Sequence, residues 1–337
     1  MLENFPRERF AHLPTPLEPL NGLRNALDEA LGEACPRLLI KRDDCTGLGF
    51  GGNKTRKLEF LVGQAKAEGN DTLITFGALQ SNHVRQTAAA AARAGLSCIA
   101  ILVEQVPYQG GSYTSSGNVM LDGLFGAELH RVADNEGAGQ ALGAVLERLG
   151  HEGRSALIIP PGGSTAIGAL GYVDCALELE AQCKAQRIKP TALVMASSTG
   201  GTQAGLVTGF AAAQFACPVI GFDVYAGNPE KIAGDVTALA GEVAGLLPNP
   251  PTLHPDAVDV RDGVIGPGYG LPTDEMKEAV DLLATRDGVL IDPVYSGKAM
   301  AGLIQMIRVG AFSPDDTIVF LHTGGAPGLF AYEGEWR

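Results

Sequence analysis

Ala192-Leu-Val-Met-Ala-Ser-Ser-Thr-Gly-Gly-Thr-Gln-Ala-Gly-Leu206 changes character twice within one short stretch. Residues 192–195 are an apolar run of strand length, 196–202 are small, hydroxylated or glycine, and the chain then enters a helical run. A strand that feeds a helix through a glycine turn is the repeating step of a parallel sheet. Outward from it, apolar runs at 38–40, 72–76, 98–103, 156–159, 219–224, 289–291 and 317–321 read as further buried strands. Helical spacing fills 57–67, 85–94, 166–185 and 275–285. The alternation predicts an α/β fold, with parallel sheets covered by helices on both faces.

The chain has 337 residues, enough for one large domain or two ordinary ones at roughly 100–200 residues each. With 45% hydrophobic and 19% charged residues it can bury a sizeable core, and 45 glycines without a repeat point to many tight loops. A net charge of −13 argues against a nucleic-acid partner, since phosphate binding needs a basic patch and the only Lys/Arg cluster is the short run at 54–57. Cys35, Cys45, Cys98, Cys175, Cys183 and Cys217 show no Cys-x-x-Cys pair or zinc spacing, so they read as buried thiols of a reducing compartment and no metal is expected. The first ten residues carry charge and proline where a signal peptide needs an apolar run, and no stretch approaches the roughly 20 apolar residues of a membrane span. A cytoplasmic protein without a membrane partner is expected. Residues 107–111 and 248–255 look linker-like but are too short to separate independent domains.

In open α/β sheets ligands bind beyond the carboxyl ends of the strands, which directs attention to the loops at 51–54, 77–82, 160–164, 197–202 and 322–325. The 196–206 turn offers hydroxyls and free amides at a helix start to one phosphate; it has neither a Walker lysine nor a G-x-G-x-x-G, so no nucleotide fingerprint fits. Phe50-Gly-Gly-Asn-Lys54 runs straight into an amphipathic helix. A lysine at a helix N-terminus meets the positive end of the dipole, which disfavours its charge and primes the amine to condense with an aldehyde cofactor. In Gln80-Ser-Asn-His83, Ser81 suits an N-cap, and Ser81 and Asn82 with the first helical amides could cradle a carboxylate, His83 beside them.

Six motifs now stand in order: Gly51-Gly-Asn-Lys54-Thr-Arg-Lys-Leu-Glu59, Gln80-Ser-Asn-His-Val-Arg-Gln86, Ser197-Ser-Thr-Gly-Gly-Thr202, Pro267-Gly-Tyr-Gly270, Asp292-Pro-Val-Tyr-Ser-Gly-Lys298 and His322-Thr-Gly-Gly325. In sequence and approximate spacing the chain resembles the aminocyclopropane-carboxylate deaminase / D-cysteine desulfhydrase family, pyridoxal-phosphate enzymes of fold type II, the tryptophan-synthase-β-like fold. The resemblance runs from about Phe5 to Tyr332. It implies two domains, each with a mostly parallel sheet flanked by helices: residues 1–53 and 165–337 form the larger, 54–164 an inserted smaller one, and pyridoxal 5'-phosphate lies between them. Lys54 is then the Schiff-base lysine. Ser198, Thr199, Gly200, Gly201 and Thr202 grip the phosphate, Asn82 holds the phenolic oxygen, and Asn53, Ser296 and Thr323 also contact the cofactor. Ser81, Asn82 and His83 bind the substrate, Ser81 taking its carboxylate and assisting a proton transfer, and Tyr269 and Tyr295 line the pocket as acid/base groups. Homodimers or larger homo-oligomers are the family's usual state.

Within that family the deaminases place a glutamate after the pocket tyrosine, against the pyridine nitrogen, where this chain has Ser296. A neutral hydroxyl leaves the ring nitrogen largely unprotonated, which suits elimination of a good β leaving group over opening of a cyclopropane. His83 in place of the deaminases' glutamine points the same way. The expected reaction is β-elimination from a small sulfur-containing amino acid, D-cysteine first, giving pyruvate, ammonia and hydrogen sulfide. L-Cysteate with release of sulfite is the alternative, followed by cyclopropane deamination and by a silent protein that only binds the cofactor. Contacts to the β-substituent are expected from 106–118, with Tyr108 and Tyr113, and from the 262–269 loop.

Overall fold

The computed structural model describes residues 1–108, 110–254 and 256–336; the two linker-like stretches each include a residue, Gln109 or Pro255, outside the described residues. The first elements are β1 (Leu17–Pro19), α1 (Asn21–Leu31), β2 (Arg37–Arg42) and α2 (Lys54–Ala67). There follow β3 (Thr72–Ala78), α3 (Asn82–Ala94), β4 (Ser97–Val103), α4 (Gly117–Leu124), β5 (Glu128–Val132), α5 (Asn135–His151) and β6 (Ala156–Ile159). The chain continues through α6 (Ala166–Gln186), β7 (Ala192–Ser197), α7 (Gly201–Ala212), β8 (Val219–Asp223), α8 (Pro229–Leu246) and β9 (Val258–Arg261). It closes with α9 (Asp274–Asp287), α10 (Ser296–Arg308), β10 (Thr317–His322) and α11 (Gly328–Ala331). No helix among the described residues is long and apolar enough to cross a membrane.

Two sheets result. One has the order β1-β2-β10-β7-β8-β9, parallel except where β1 runs antiparallel to β2, and the other is the parallel set β5-β4-β3-β6. The central β10 shows why helices cover both faces: Ile318 and Phe320 pack with α1, α9 and α10, while Val319 and Leu321 pack with α6 and α7. In the smaller sheet Leu73 faces α2 and α3, and its neighbour Ile74 faces α5. This is the expected α/β architecture, with two sheets that are mostly parallel and flanked by helices.

Three expectations change. The apolar run at 289–291 is no strand: it is the connection into α10, in which Val289 and Ile291 are buried while Leu290 is exposed and its carbonyl accepts from His322 Nε2 at 2.9 Å, and Pro293 follows at once. α2 is not amphipathic toward water; Thr55 through Gly63 are all buried, its Leu58 side packing on the smaller sheet's helices and Phe60 on α6. Cys45 is exposed, while the other five cysteines are buried and free.

Candidate active site

A cavity of about 350 Å³ lies at the carboxyl ends of strands from both sheets. Residues following β3, β4, β6, β7, β8 and β10 all reach it, which is the behaviour of parallel sheets whose strand ends share one side. Asn53, Lys54, Ser81, Asn82, His83, Tyr269, Tyr295, Thr323 and the whole turn Ser198, Thr199, Gly200, Gly201 and Thr202 line it.

Lys54 is the first residue of α2 and its Nζ donates to Asn53 Oδ1 at 3.0 Å. Part of its side chain still meets the cavity, yet the amine is enclosed by protein. That desolvation lowers its pKa to about 8, Arg85 adding to the effect and Asp292 opposing it. Burial is thus the first cause that disfavours the charged form of this lysine. Asn53 is itself held by Thr202 Oγ1, 3.0 Å from its Nδ2, and by the Thr323 carbonyl, 3.0 Å from its amide.

The turn after β7 is shaped for an anion. Gly200 adopts φ 79°, which favours glycine, and α7 begins at Gly201, so the helix N-terminus opens on the cavity. A Cβ on Gly201 would fall 2.7 Å from Ser164 Oγ and 2.8 Å from Lys57 Nζ. Lys57 is fully buried, donates to the Gly162 carbonyl at 3.0 Å, and has its pKa pulled well down by desolvation and by Lys54. Ser197 Oγ, buried in the cavity wall, has no hydrogen-bond partner among the described residues. Orphan hydroxyl, glycine cradle and a buried lysine amine with no acid beside it among the described residues fit a phosphate, whose charge would favour the protonated amine, and Lys54 fits an aldehyde, so the residues present suit a phosphorylated aldehyde cofactor. Lys57 was passed over in the sequence as part of a short basic run. The signal was its spacing, three residues from Lys54 and hence on the same side of α2.

Across the cavity Ser81 caps α3, its Oγ accepting from Val84 N at 3.2 Å. Asn82 is fixed by its oxygen, which accepts from Arg85 Nη1 at 3.1 Å and Asn118 Nδ2 at 2.9 Å, so its amide NH₂ is turned toward Gly325. Thr75 Oγ1 gives its proton to the Ile159 carbonyl at 3.1 Å and therefore accepts from His83 Nε2 at 2.7 Å. His83 is left neutral with a bare Nδ1, because burial, then Lys54 and Lys57, push its pKa well below the ordinary value.

Tyr269 and Tyr295 meet hydroxyl to hydroxyl. Burial raises the pKa of both; Tyr295 adds to the rise at Tyr269, while the hydrogen bond to Tyr269 only partly offsets it at Tyr295, so the pair keeps its protons at neutral pH. Ser296 does not line the cavity: it is buried behind Tyr295, accepting from Asp292 N at 2.9 Å and donating to Asp292 Oδ1. Tyr108 and Tyr113 are not in the lining either; they pack on Tyr332 in the cluster that backs the tyrosine pair. Tyr225, Gln105 and Asn135 were missed. Tyr225 stands just past β8 and Gln105 just past β4, so the strand-end rule could have found those two.

A cavity at shared strand ends, with a desolvated lysine facing a glycine phosphate turn, defines the class of lysine-anchored aldehyde-cofactor enzymes. The chain belongs to the family described as "Pyridoxal-phosphate dependent enzyme", which it matches over residues 9–324. It is 44% identical over 331 residues to the D-cysteine desulfhydrases of Salmonella typhimurium and Salmonella newport, covering 98% of this chain and 97% of theirs. It is also similar to a solved structure of an ACC deaminase homologue, with TM-score 0.85 and 34% identity over 99% of this chain and 96% of the other. The chain is thus a pyridoxal-phosphate-dependent lyase of fold type II.

Proposed function

We propose that this enzyme eliminates hydrogen sulfide from D-cysteine, taking up one water and leaving pyruvate and ammonia. The observation that carries the reading is the near full-length similarity to D-cysteine desulfhydrases joined to a cavity whose only lysine, arginine or carboxylate lining residues, among those described, are Lys54 and Lys57. Both lysines sit at the cofactor end. A sulfonate would need a further cation at the other end, where Tyr269, Tyr295, Tyr225 and Gln105 stand instead.

When bound, pyridoxal phosphate supplies the electron sink that stabilises the carbanion left by loss of the α-proton. The protein's residues divide the remaining work. Ser198, Thr199, Gly200, Gly201 and Thr202 hold the phosphate, Lys57 supplies the countercharge, and Asn53, Asn82 and Thr323 orient the ring. Lys54, unprotonated more readily than an ordinary lysine, anchors the cofactor and takes the α-proton, with Ser81 assisting. Ser81 Oγ has its lone pair on Val84 N and its proton free for the substrate carboxylate, beside the α3 N-terminus. Tyr269 and Tyr295, which keep their protons, act as acid toward the departing sulfur. Ser296, committed to Asp292, presents no carboxylate to the ring.

Residues 54–164, which contain every strand of the smaller sheet, form in this reading the smaller domain, and 1–53 with 165–337 the larger. A cytoplasmic homodimer or larger homo-oligomer is inferred from the family resemblance, and light scattering would read the assembly.

The deciding assay offers D-cysteine, L-cysteate, L-cysteine and 1-aminocyclopropane-1-carboxylate separately. Equal sulfide and pyruvate from D-cysteine is the expected result; sulfite from L-cysteate or 2-oxobutyrate from the cyclopropane as main product overturns it. For the phosphate end, Lys57→Met should weaken cofactor affinity by about 10–100-fold, the value of a buried charge-assisted hydrogen bond. Titration of pyridoxal phosphate followed by visible absorbance measures it, and an unchanged affinity removes Lys57 from the phosphate site.

A further inference from the structure

Lys298 belongs to the Asp292–Lys298 motif, yet the chemistry above gives it nothing to do. It is fully buried in the first turn of α10, three residues beyond Tyr295. Its Nζ donates to the carbonyls of Ile265 at 2.7 Å and Gly268 at 3.0 Å, in the loop that delivers Tyr269 to the cavity. That loop is weak by composition: Gly266, Gly268 and Gly270 have φ of 64°, 157° and 73°, conformations only glycine adopts freely. On the far side of Tyr269, Tyr332 Oη donates to the Gly270 carbonyl at 2.6 Å. Tyr269 is therefore bracketed by two tethers. The one before it is a cation that has exchanged water for two neutral carbonyls, at a desolvation cost that lowers its pKa to about 8 against the raising effect of Asp292.

An arrangement that costs this much only to close a surface loop could be replaced by a neutral residue. What it secures is registry: one ammonium on α10 ties the Tyr269 loop to the helix that Tyr295 caps, and the two hydroxyls meet. We propose that Lys298 is a positioning residue, whose ammonium pins the Ile265 and Gly268 carbonyls and so sets the Tyr269 hydroxyl against Tyr295. Turnover, but not cofactor retention, depends on it. The effect on turnover rests on the β-elimination reading; the tether itself does not.

Lys298→Met should keep the visible band of the bound cofactor while kcat/KM for D-cysteine falls by about 10–100-fold, the scale of a displaced acid/base group. Hydrogen exchange at 264–270 should quicken, with the rest of the protein unchanged. Tyr269→Phe combined with Lys298→Met should be no slower than Tyr269→Phe alone, because the lysine acts through that tyrosine. In Lys298→Ala, added methylammonium should restore slow exchange and part of the rate; where Met or Ala folds poorly, Lys298→Gln keeps a donor for one carbonyl. Losses that multiply in the double variant, or exchange at 264–270 that does not change, overturn the proposal. Because exchange needs no substrate, failure of the tether is distinguished from a wrong substrate.

Discussion

Lys54→Ala, supplied with pyridoxal phosphate, shows no visible band of lysine-bound cofactor, and its pyruvate formation from D-cysteine falls by at least about 10²–10⁴-fold, the range for removing one acid/base group. The real loss is expected at the upper end, since the same amine also anchors the cofactor. The variant should also melt higher than the wild type, both without cofactor, at pH 7. Lys54 has a folded pKa of about 8, below its unfolded value near 10.4, so at pH 7 the folded protein holds a charge in a site that disfavours it. The cost is present below about pH 8 and disappears as pH rises toward the unfolded value. The melting difference should therefore shrink between about pH 8 and 10. A wild-type spectrum in Lys54→Ala sinks the assignment of the amine, and a melting difference that grows with pH sinks the account of its pKa.

How far the sequence could be read follows from which residues advertise their surroundings. Strands buried on both faces are apolar runs, so β2, β3, β4, β7, β8 and β10 were visible. Three of the four sheet edges were not: β1, β5 (Glu-Leu-His-Arg-Val) and β9 (Val-Asp-Val-Arg) are half-exposed, short and polar on alternate positions. The run at 289–291 misled because apolar residues in a row do not by themselves make a strand; Leu290 turns outward and its carbonyl accepts from the His322 side chain instead of a ladder partner. At the site, residues in glycine loops stood out because glycine turns and helix starts have a chemical grammar. Lys57 and Arg85 did not, because their roles exist only through burial. A lysine in a basic run looks solvated until the helix carrying it proves to be covered on nearly every side. Ser296 shows the converse limit. Its neutrality was readable, while its commitment to Asp292, one helical turn earlier in the chain, needed coordinates.

Arg56→Met is expected to destabilise the fold by about 3–5 kcal/mol in urea unfolding, the usual consequence of stripping one partner from a buried ion pair. Arg56 sits two residues after Lys54, fully buried, and its guanidinium clamps Asp43 through Nε at 2.8 Å and Nη2 at 2.9 Å while Nη1 and Nη2 reach Glu178 at 3.1 and 3.0 Å. Asp43 is fully buried too. Desolvation pushes its carboxyl up, but Arg56, Lys41 and the Tyr172 hydroxyl together hold it below the ordinary range. Its contribution to wild-type stability is thus complete above the unfolded pKa near 3.9 and is lost as pH falls through the lower folded value. Without Arg56 the sign reverses. The desolvated carboxylate then has a folded pKa above the unfolded one, and protonation relieves the strain, so the stability gap between wild type and variant should close as pH falls from 7 toward 4. Arg56→Lys should recover only part of the loss, because a point charge cannot make the paired bonds of the fork to both carboxylates. A gap that widens on acidification, or a variant as stable as the wild type at pH 7, would show that the α2 start bearing Lys54 is not anchored by this pair.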